Sequence, residues 1–132
     1  MTARREVEIR VRIPNGKGNQ TDILALLKNH RLPTLTRSNF ADRHGLMLLL
    51  TTSRPEEVKE VLEAAGYHCR THPVVVFGPS TYQPGVVARL VAELGLQGVG
   101  IRSSYLSSTT PDNCFLVVQT TDDKRALEMM AT

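Results

Sequence analysis

The chain has 132 residues, and a folded monomer of that length buries about two thirds of the surface that its unfolded chain exposes. It is 41% hydrophobic, 22% charged and 5% aromatic, which excludes collagen, a coiled coil and intrinsic disorder. The longest apolar run, Leu46 to Leu50, is far shorter than the roughly 20 residues that a membrane span requires. The amino end also lacks the apolar core of a signal peptide. The sequence therefore predicts a cytoplasmic protein with no membrane partner.

The charged residues give a formal net charge of +3, from 16 basic and 13 acidic side chains. They do not form a basic run interleaved with aromatic residues, the pattern that nucleic-acid binding favours. Arg10 and Arg12 alternate with apolar neighbours instead, as on the solvated face of a strand. We predict no nucleic-acid partner.

The first half of the chain begins with Val7 to Ile13, whose strict alternation predicts a half-buried strand. Turn residues follow, and Thr21 is expected to cap a helix that ends near Arg31. Two further extended segments, Thr34 to Phe40 and Leu46 to Thr52, predict a β-hairpin around the loop Ala41 to Gly45.

A second helix is predicted after Ser53, which we expect to act as its N-cap, and it ends at Ala65 with Gly66 as C-cap. Tyr67 to Phe77 is extended. Pro73 inside it indicates either one strand ending and another starting or a kinked edge strand.

The second half of the chain predicts a helix from Val86 to Leu94 that Gly95 terminates. A strand over Val99 to Leu106, a polar turn region over Ser107 to Asn113, a buried strand over Cys114 to Gln119 and a helix through Met130 follow.

The order of elements repeats, and the apolar pattern of Ile23 to Leu27 corresponds to that of Val86 to Leu90. This predicts an α+β fold of two ferredoxin-like βαββαβ modules, with antiparallel sheets and helices on one face. The modules are expected to span residues 1–72 and 73–132, the second being shorter and lacking its own final strand.

One segment resembles the opening signature of an ACT domain, with proline and glycine followed by aliphatic residues, alanine and leucine: Gln83-Pro84-Gly85-Val86-Val87-Ala88-Arg89-Leu90. The segments Arg54 to Val58 and Leu62 to His68 resemble the second half of the same domain. The resemblance covers most of the chain and is specifically to small stand-alone proteins built of two tandem ACT modules.

That resemblance implies a non-catalytic regulatory protein, without a cofactor, that binds a small metabolite, commonly a free amino acid, at the seam between modules. In such sites the loop between the first strand and first helix meets the ligand through backbone amides. The candidate ligand-binding residues are Tyr82, Gln83, Pro84, Gly85, Val86 and Val87 in the second module and Asn15, Gly18, Asn19 and Gln20 in the first.

The first module departs from the pattern because Asp22 stands where the second has Gly85. A carboxylate at the start of a helix repels a ligand carboxylate. We therefore expect unequal sites.

These residues also allow ordinary structural interpretations. The dipeptide Pro84-Gly85 is common in turns of every kind. The side chains of Asn15, Asn19 and Gln20 can simply form hydrogen bonds with the backbone or with water in an exposed turn. Tyr82 and Tyr105 are candidates either for lining the seam or for packing on the sheet.

A homodimer is expected, because the sheet edges of the short second module need cover. The alternative prediction is that the chain serves as a regulatory or interaction subunit of an amino-acid metabolic enzyme and has a degenerate ligand site.

His68, Cys69 and His72 place possible metal ligands within five residues. In a strand the two histidines share a face while Cys69 points away, so we predict no metal site. The two cysteines, Cys69 and Cys114, lack CxxC spacing and are expected to be reduced. No GxSxG, HExxH, P-loop or dinucleotide fingerprint occurs, and we predict no catalytic residues.

Overall fold

The structure of the chain, a computed structural model, describes residues 2–16, 18–81, 84–108, 110 and 112–130. Its longest helix has 13 residues, and none of the described helices is both long and apolar enough to cross a bilayer. The elements, in chain order, are β1 (Ala3–Pro14), α1 (Gln20–Asn29), β2 (Thr36–Asp42), β3 (Gly45–Thr51), α2 (Pro55–Ala64), β4 (His68–Ser80), α3 (Pro84–Leu96), β5 (Ile101–Ser108), β6 (Cys114–Thr120) and α4 (Asp123–Met130).

The strands pair in the order β2-β3-β1-β4-β6-β5. Pairing is antiparallel between β1 and β3, β2 and β3, β4 and β6, and β5 and β6. The predicted α+β class with an antiparallel sheet is confirmed. The predicted hairpin is also confirmed, although Asp42 pairs with Gly45 and leaves only Arg43 and His44 in the turn. The loop is shorter than predicted because β2 continues through Ala41 and Asp42.

Contacts divide the chain into two compact units, one of residues Val7–His72 and one of Met1–Glu6 with Pro73–Thr132. In the unit of residues 7–72, the apolar positions of β1 and β3 pack with both helices. This core consists of Ile9, Val11, Ile13, Ile23, Leu27, Leu32, Leu48, Leu50, Val58, Leu62 and Cys69.

The other unit uses the start of the chain as part of its sheet, since the Gly78 amide donates to the Thr2 carbonyl at 2.8 Å. The Thr2 hydroxyl in turn donates to the Gly78 carbonyl at 2.8 Å. Its core lies between β4, β6 and the helices α3 and α4, and consists of Val75, Phe77, Leu90, Leu94, Val99, Leu116, Val118 and Ala126.

Two predicted helix caps are wrong. Asn19, not Thr21, is the N-cap of α1, and its side chain accepts a hydrogen bond from the Asp22 amide. Arg54, not Ser53, is the N-cap of α2, and it makes no side-chain capping bond. Pro55 in the first turn of α2 has no amide that needs a cap.

The predicted end of the third helix is also wrong, because α3 passes through Gly95 to Leu96. The chain leaves the helix at Gly98, whose φ is +76°. The Gly98 amide donates to the Gly95 carbonyl at 3.0 Å and the Val99 amide to the Leu94 carbonyl at 2.9 Å, which is a Schellman motif.

Two strand boundaries differ from prediction. β4 is one continuous strand across Pro73 and lies between β1 and β6, so it is neither the two strands nor the edge strand that we considered. An exposed proline removes a single amide donor and keeps an extended φ, which lets the strand continue. β5 includes Ser107 and Ser108, which we expected in a turn, because they pair with Phe115 and Cys114 of β6.

Helices α1 and α2 end in the same Schellman arrangement, with Arg31 and Gly66 in the left-handed position. Arg31 has a φ of +57°, which costs a residue with a Cβ about 1 kcal/mol relative to glycine. We expect Arg31→Gly to raise the free energy of unfolding by about 0.5–1 kcal/mol in urea denaturation. Lys28→Gly, inside the helix, is the control and should lower it by a similar amount. A loss of stability in Arg31→Gly would contradict this.

Candidate functional site

The loop between β1 and α1 contains the first group of predicted ligand-binding residues. Asn15 is exposed, and its Nδ2 donates to the Arg43 carbonyl at 3.2 Å. Gly16 and Gly18 have φ values of +77° and +113°, so the chain reverses through conformations that favour glycine. Asn15 is thereby tied to the β2–β3 turn within the unit of residues 7–72.

The start of α1 is closed by a reciprocal pair of hydrogen bonds. The Asp22 amide donates to Asn19 Oδ1, and the Asn19 amide donates to Asp22 Oδ2, both at 3.2 Å. A Cβ added to Gly18 would lie 2.8 Å from Asp22 Oδ2, so the carboxylate lies directly beside the loop. A negative charge of the chain itself therefore occupies this helix N-terminus, where a ligand carboxylate would otherwise be stabilised.

Gln20 also has a partner in the fold. Its Oε1 accepts a hydrogen bond from Asn39 Nδ2 of β2 at 3.1 Å. The structure thus brings Asn15, Gly18, Asn19 and Gln20 into one turn, in which the three polar side chains make hydrogen bonds to other parts of the chain.

The start of α3 contains the second group. Tyr82 and Gln83 lie outside the described residues, and Pro84 is the first residue of the helix. Gly85 is exposed, and a Cβ added to it would have no other atom within 4 Å. Val86 is half-buried, and Val87 packs against the core of its unit. The helix start is thus open at Gly85 and anchored by Val87.

Other candidates from the sequence lie on the sheet. Tyr105 is half-buried on β5, opposite Val117 of β6. Ser103, also on β5, donates from its hydroxyl to Gln119 Oε1 at 3.3 Å. Both residues interact with the neighbouring strand.

His68, Cys69 and His72 are separated by the pleat of β4. Cys69 is buried in the core of residues 7–72, while His68 and His72 alternate to the opposite face. Burial, and secondarily the nearby Glu63 carboxylate, raises the pKa of the Cys69 thiol to about 11, so it is a poor nucleophile at neutral pH. Within the described part of the chain, no group of three or more His, Cys, Asp or Glu side chains is placed to hold a metal ion.

Sequence reasoning missed a basic concavity on the sheet of residues 7–72, because it interpreted the arginines of β1 only as a solvated face. The concavity has a volume of about 390 Å³. The missed signal was the alternation of basic residues His68, Arg70 and His72 within β4. The lining residues are Arg10, Arg12, Met47, His68, Arg70 and His72.

Comparison with known proteins gave matches among solved structures only. No protein-family model matches the chain, and a search of curated proteins also found no match. A protein from Bacteroides thetaiotaomicron superposes with a TM-score of 0.83 at 16% identity, over 98% of this chain and 88% of that one. The regulatory subunit of aspartate kinase from Thermus thermophilus, in a ligand-free form, superposes with a TM-score of 0.69 at 15% identity, over 93% and 89%.

The chain has an ACT-type fold. The resemblance drawn from the segment around Pro84 and Gly85 is therefore confirmed at the level of the fold. Aspartate kinase from Synechocystis contains the same arrangement within a larger chain, with a TM-score of 0.68 at 13% identity, over 98% of this chain and 26% of that one. The ACT-type fold thus occurs both as a separate subunit and as part of an enzyme.

Proposed function

We propose that this protein is a non-catalytic regulator that binds a free amino acid at the start of α3. The observation that carries the proposal is the ACT-type fold, which it shares with a regulatory subunit of aspartate kinase. Ligand binding would stabilise one arrangement of the protein over another, and regulation would follow from the difference in affinity between the two.

The two helix starts favour α3 over α1 as the place for the ligand carboxylate. The first amides of a helix have no partner within it and lie at the positive end of its dipole. In α1 the Asp22 carboxylate already lies there, bonded to the Asn19 amide. The first turn of α3 has no acidic residue, and nothing in the described structure crowds Gly85. An α-carboxylate therefore encounters attraction at α3 and repulsion at α1.

Thermal unfolding against a panel of the common amino acids at millimolar concentration tests this. A ligand at 100 times its dissociation constant that binds only the folded state adds about 2.7 kcal/mol. For a chain of this size that raises the Tm by on the order of 10 °C. We expect one amino acid, or a small group of related ones, to produce such a shift.

Gly85→Val with the matched control Gly95→Val locates the site. Both glycines are in α3, neither has a left-handed φ, and neither would bring an added Cβ within 4 Å of another atom. Both substitutions should therefore leave stability about equal to that of the parent or slightly higher. We expect Gly85→Val to abolish the ligand-induced shift and Gly95→Val to keep it. An unchanged shift in Gly85→Val would contradict the assignment.

A second candidate function is a regulatory or interaction subunit of an amino-acid metabolic enzyme. The occurrence of the same fold within Synechocystis aspartate kinase favours it. In that case no amino acid would change the Tm, and the protein would instead co-elute with a catalytic subunit and alter its rate. A homodimer remains a prediction, for which light scattering should give twice the 14.6 kDa chain mass.

A further inference from the structure

One face of the sheet in the unit of residues 7–72 carries a cluster of cations. On β1, Ile9 and Val11 belong to the core that packs against the helices. Arg10 and Arg12 alternate with them and therefore lie on the face away from the helices. On β4, buried Cys69 alternates with His68 and Arg70 in the same way.

These side chains surround a defined volume. The concavity of about 390 Å³ lies within the range of 300–1,000 Å³ that is typical of small-molecule sites. A second concavity of about 450 Å³ shares Arg12 and His68 with it and extends to the end of α2 at Ala65 and Gly66. Together they offer room for a metabolite larger than a single ion.

The chain's own carboxylates pair with Arg10 and Arg12 at this face but not with Arg70. Arg10 Nε lies 2.8 Å from Oε1 of Glu8, which is only 2% exposed, and Arg12 Nη1 lies 2.7 Å from Oδ1 of Asp42. The Arg12 guanidinium and the His44 amide hold the pKa of Asp42 below its usual value, so Asp42 is anionic at neutral pH. The Arg70 side chain forms no hydrogen bond or ion pair with another described residue.

Among the residues that the structure describes, the lining of the concavity contains no Asp or Glu. It combines three arginine guanidinium groups with two histidine imidazoles. Like charges on neighbouring strands repel one another. An anion in the concavity would relieve that repulsion. A guanidinium presents a planar fork of N–H donors that matches phosphate oxygens two at a time. A phosphate concentrates up to two charges and three acceptor oxygens in one compact group.

We propose that this concavity binds a small molecule through a phosphate group, with Arg70 as its principal unpaired cation. The site is distinct from the start of α3, and the proposal does not depend on the proposed function. Arg12 and Arg10, paired with Asp42 and Glu8, line the same volume and add positive charge to it.

Calorimetric titration with inorganic pyrophosphate, at low salt, is the test. We expect one site per chain in the parent protein and an affinity at least tenfold lower in Arg70→Gln. Arg102→Gln is the matched control, since it removes the same charge from an exposed strand position in the other unit. Its affinity should stay within twofold of the parent. Circular dichroism verifies that both variants fold.

Histidine NMR signals report the location independently of affinity. The chain has four histidines, and only His68 and His72 line the concavity. Their ring signals should shift with pyrophosphate while that of His30 stays unchanged. The proposal would be overturned if Arg70→Gln and Arg102→Gln weakened pyrophosphate binding equally, or if the His30 signals shifted as much as those of His68. Either result would indicate non-specific electrostatic attraction to the whole protein. A tenfold higher affinity for citrate would overturn the choice of phosphate, and binding of polyglutamate alone would indicate an acidic protein partner instead.

Discussion

Gly45→Ala is expected to lower the free energy of unfolding by at least about 3 kcal/mol. Gly45 begins β3 with a φ of +125°, a conformation that costs residues with a Cβ about 1–3 kcal/mol. An added Cβ would lie 2.2 Å from the carbonyl oxygen of Ile13 and 3.0 Å from the amide nitrogen of Asn15. Both atoms are backbone in the strand and turn next to β3, so the collision can be relieved only by distorting the sheet.

Gly66→Ala separates the two causes. Gly66 also has a left-handed φ, +93°, but an added Cβ there would have no atom within 4 Å. It should cost about 1 kcal/mol, the conformational part alone. Urea unfolding followed by circular dichroism measures both variants. Equal losses in the two would mean that the close backbone approach at Gly45 contributes nothing, contrary to the structure.

The strands were the most predictable part of the fold because burial imposes a period of two on the sequence. Ile9, Val11 and Ile13 alternate with polar residues, and all three are in the core as predicted. The continuous apolar run at Leu48 to Leu50 likewise became a buried central strand. A hydrophobic pattern repeated over several residues predicts a strand even where each single residue is compatible with either a strand or a helix.

Helix ends were less predictable because neighbouring residues offer nearly equal local chemistry. Asn19 and Thr21 are both good N-caps, and the choice falls on Asn19 because Asp22 lies three residues later and completes the reciprocal bonds. Gly95 and Gly98 can both end a helix. Gly98 does so because Leu94 and Val99, on either side of the turn, are both buried in the core.

The basic concavity could not be predicted because it depends on which strands are neighbours. Arg12 and His68 are far apart in sequence and come together only through the pairing order in which β4 lies beside β1. Each strand alone has the alternation of an ordinary solvated face. Two such faces side by side concentrate cations on one surface, and this consequence of topology is absent from local periodicity.

The inequality of the two helix starts, in contrast, was foreseeable from one residue. Asp22 stands at the position that corresponds to Gly85, and the structure shows its carboxylate held at the start of α1 by the Asn19 amide. Under the proposed function, a ligand carboxylate would therefore meet less competition from the chain's own acids at the start of α3 than at α1. The ligand's side chain would be recognised elsewhere, through residues that the helix start alone does not supply.

Phe77→Ala is expected to lower the free energy of unfolding by about 3–5 kcal/mol, the range for truncating a buried aromatic residue. Phe77 is 1% exposed and packs among Val75, Leu94 and Leu116 in the core of its unit. Truncation to alanine removes the ring and leaves a cavity that β4, held by its pairing with β6, can close only in part. Urea unfolding measures the loss, and an unchanged slope with denaturant shows that it reflects stability.

Leu106→Ala is the control, because Leu106 lies on β5 in the same unit but is 41% exposed. It should cost less than about 1 kcal/mol, since much of its surface stays in water in the folded protein. Phe77→Leu should retain most of the parent's stability, because it keeps an apolar side chain of intermediate volume. A buried ring should cost more to remove than a half-exposed leucine, because its removal loses more buried apolar surface and leaves a cavity. If Phe77→Ala lowered the free energy of unfolding no more than Leu106→Ala, Phe77 would not be packed in the core as the structure describes.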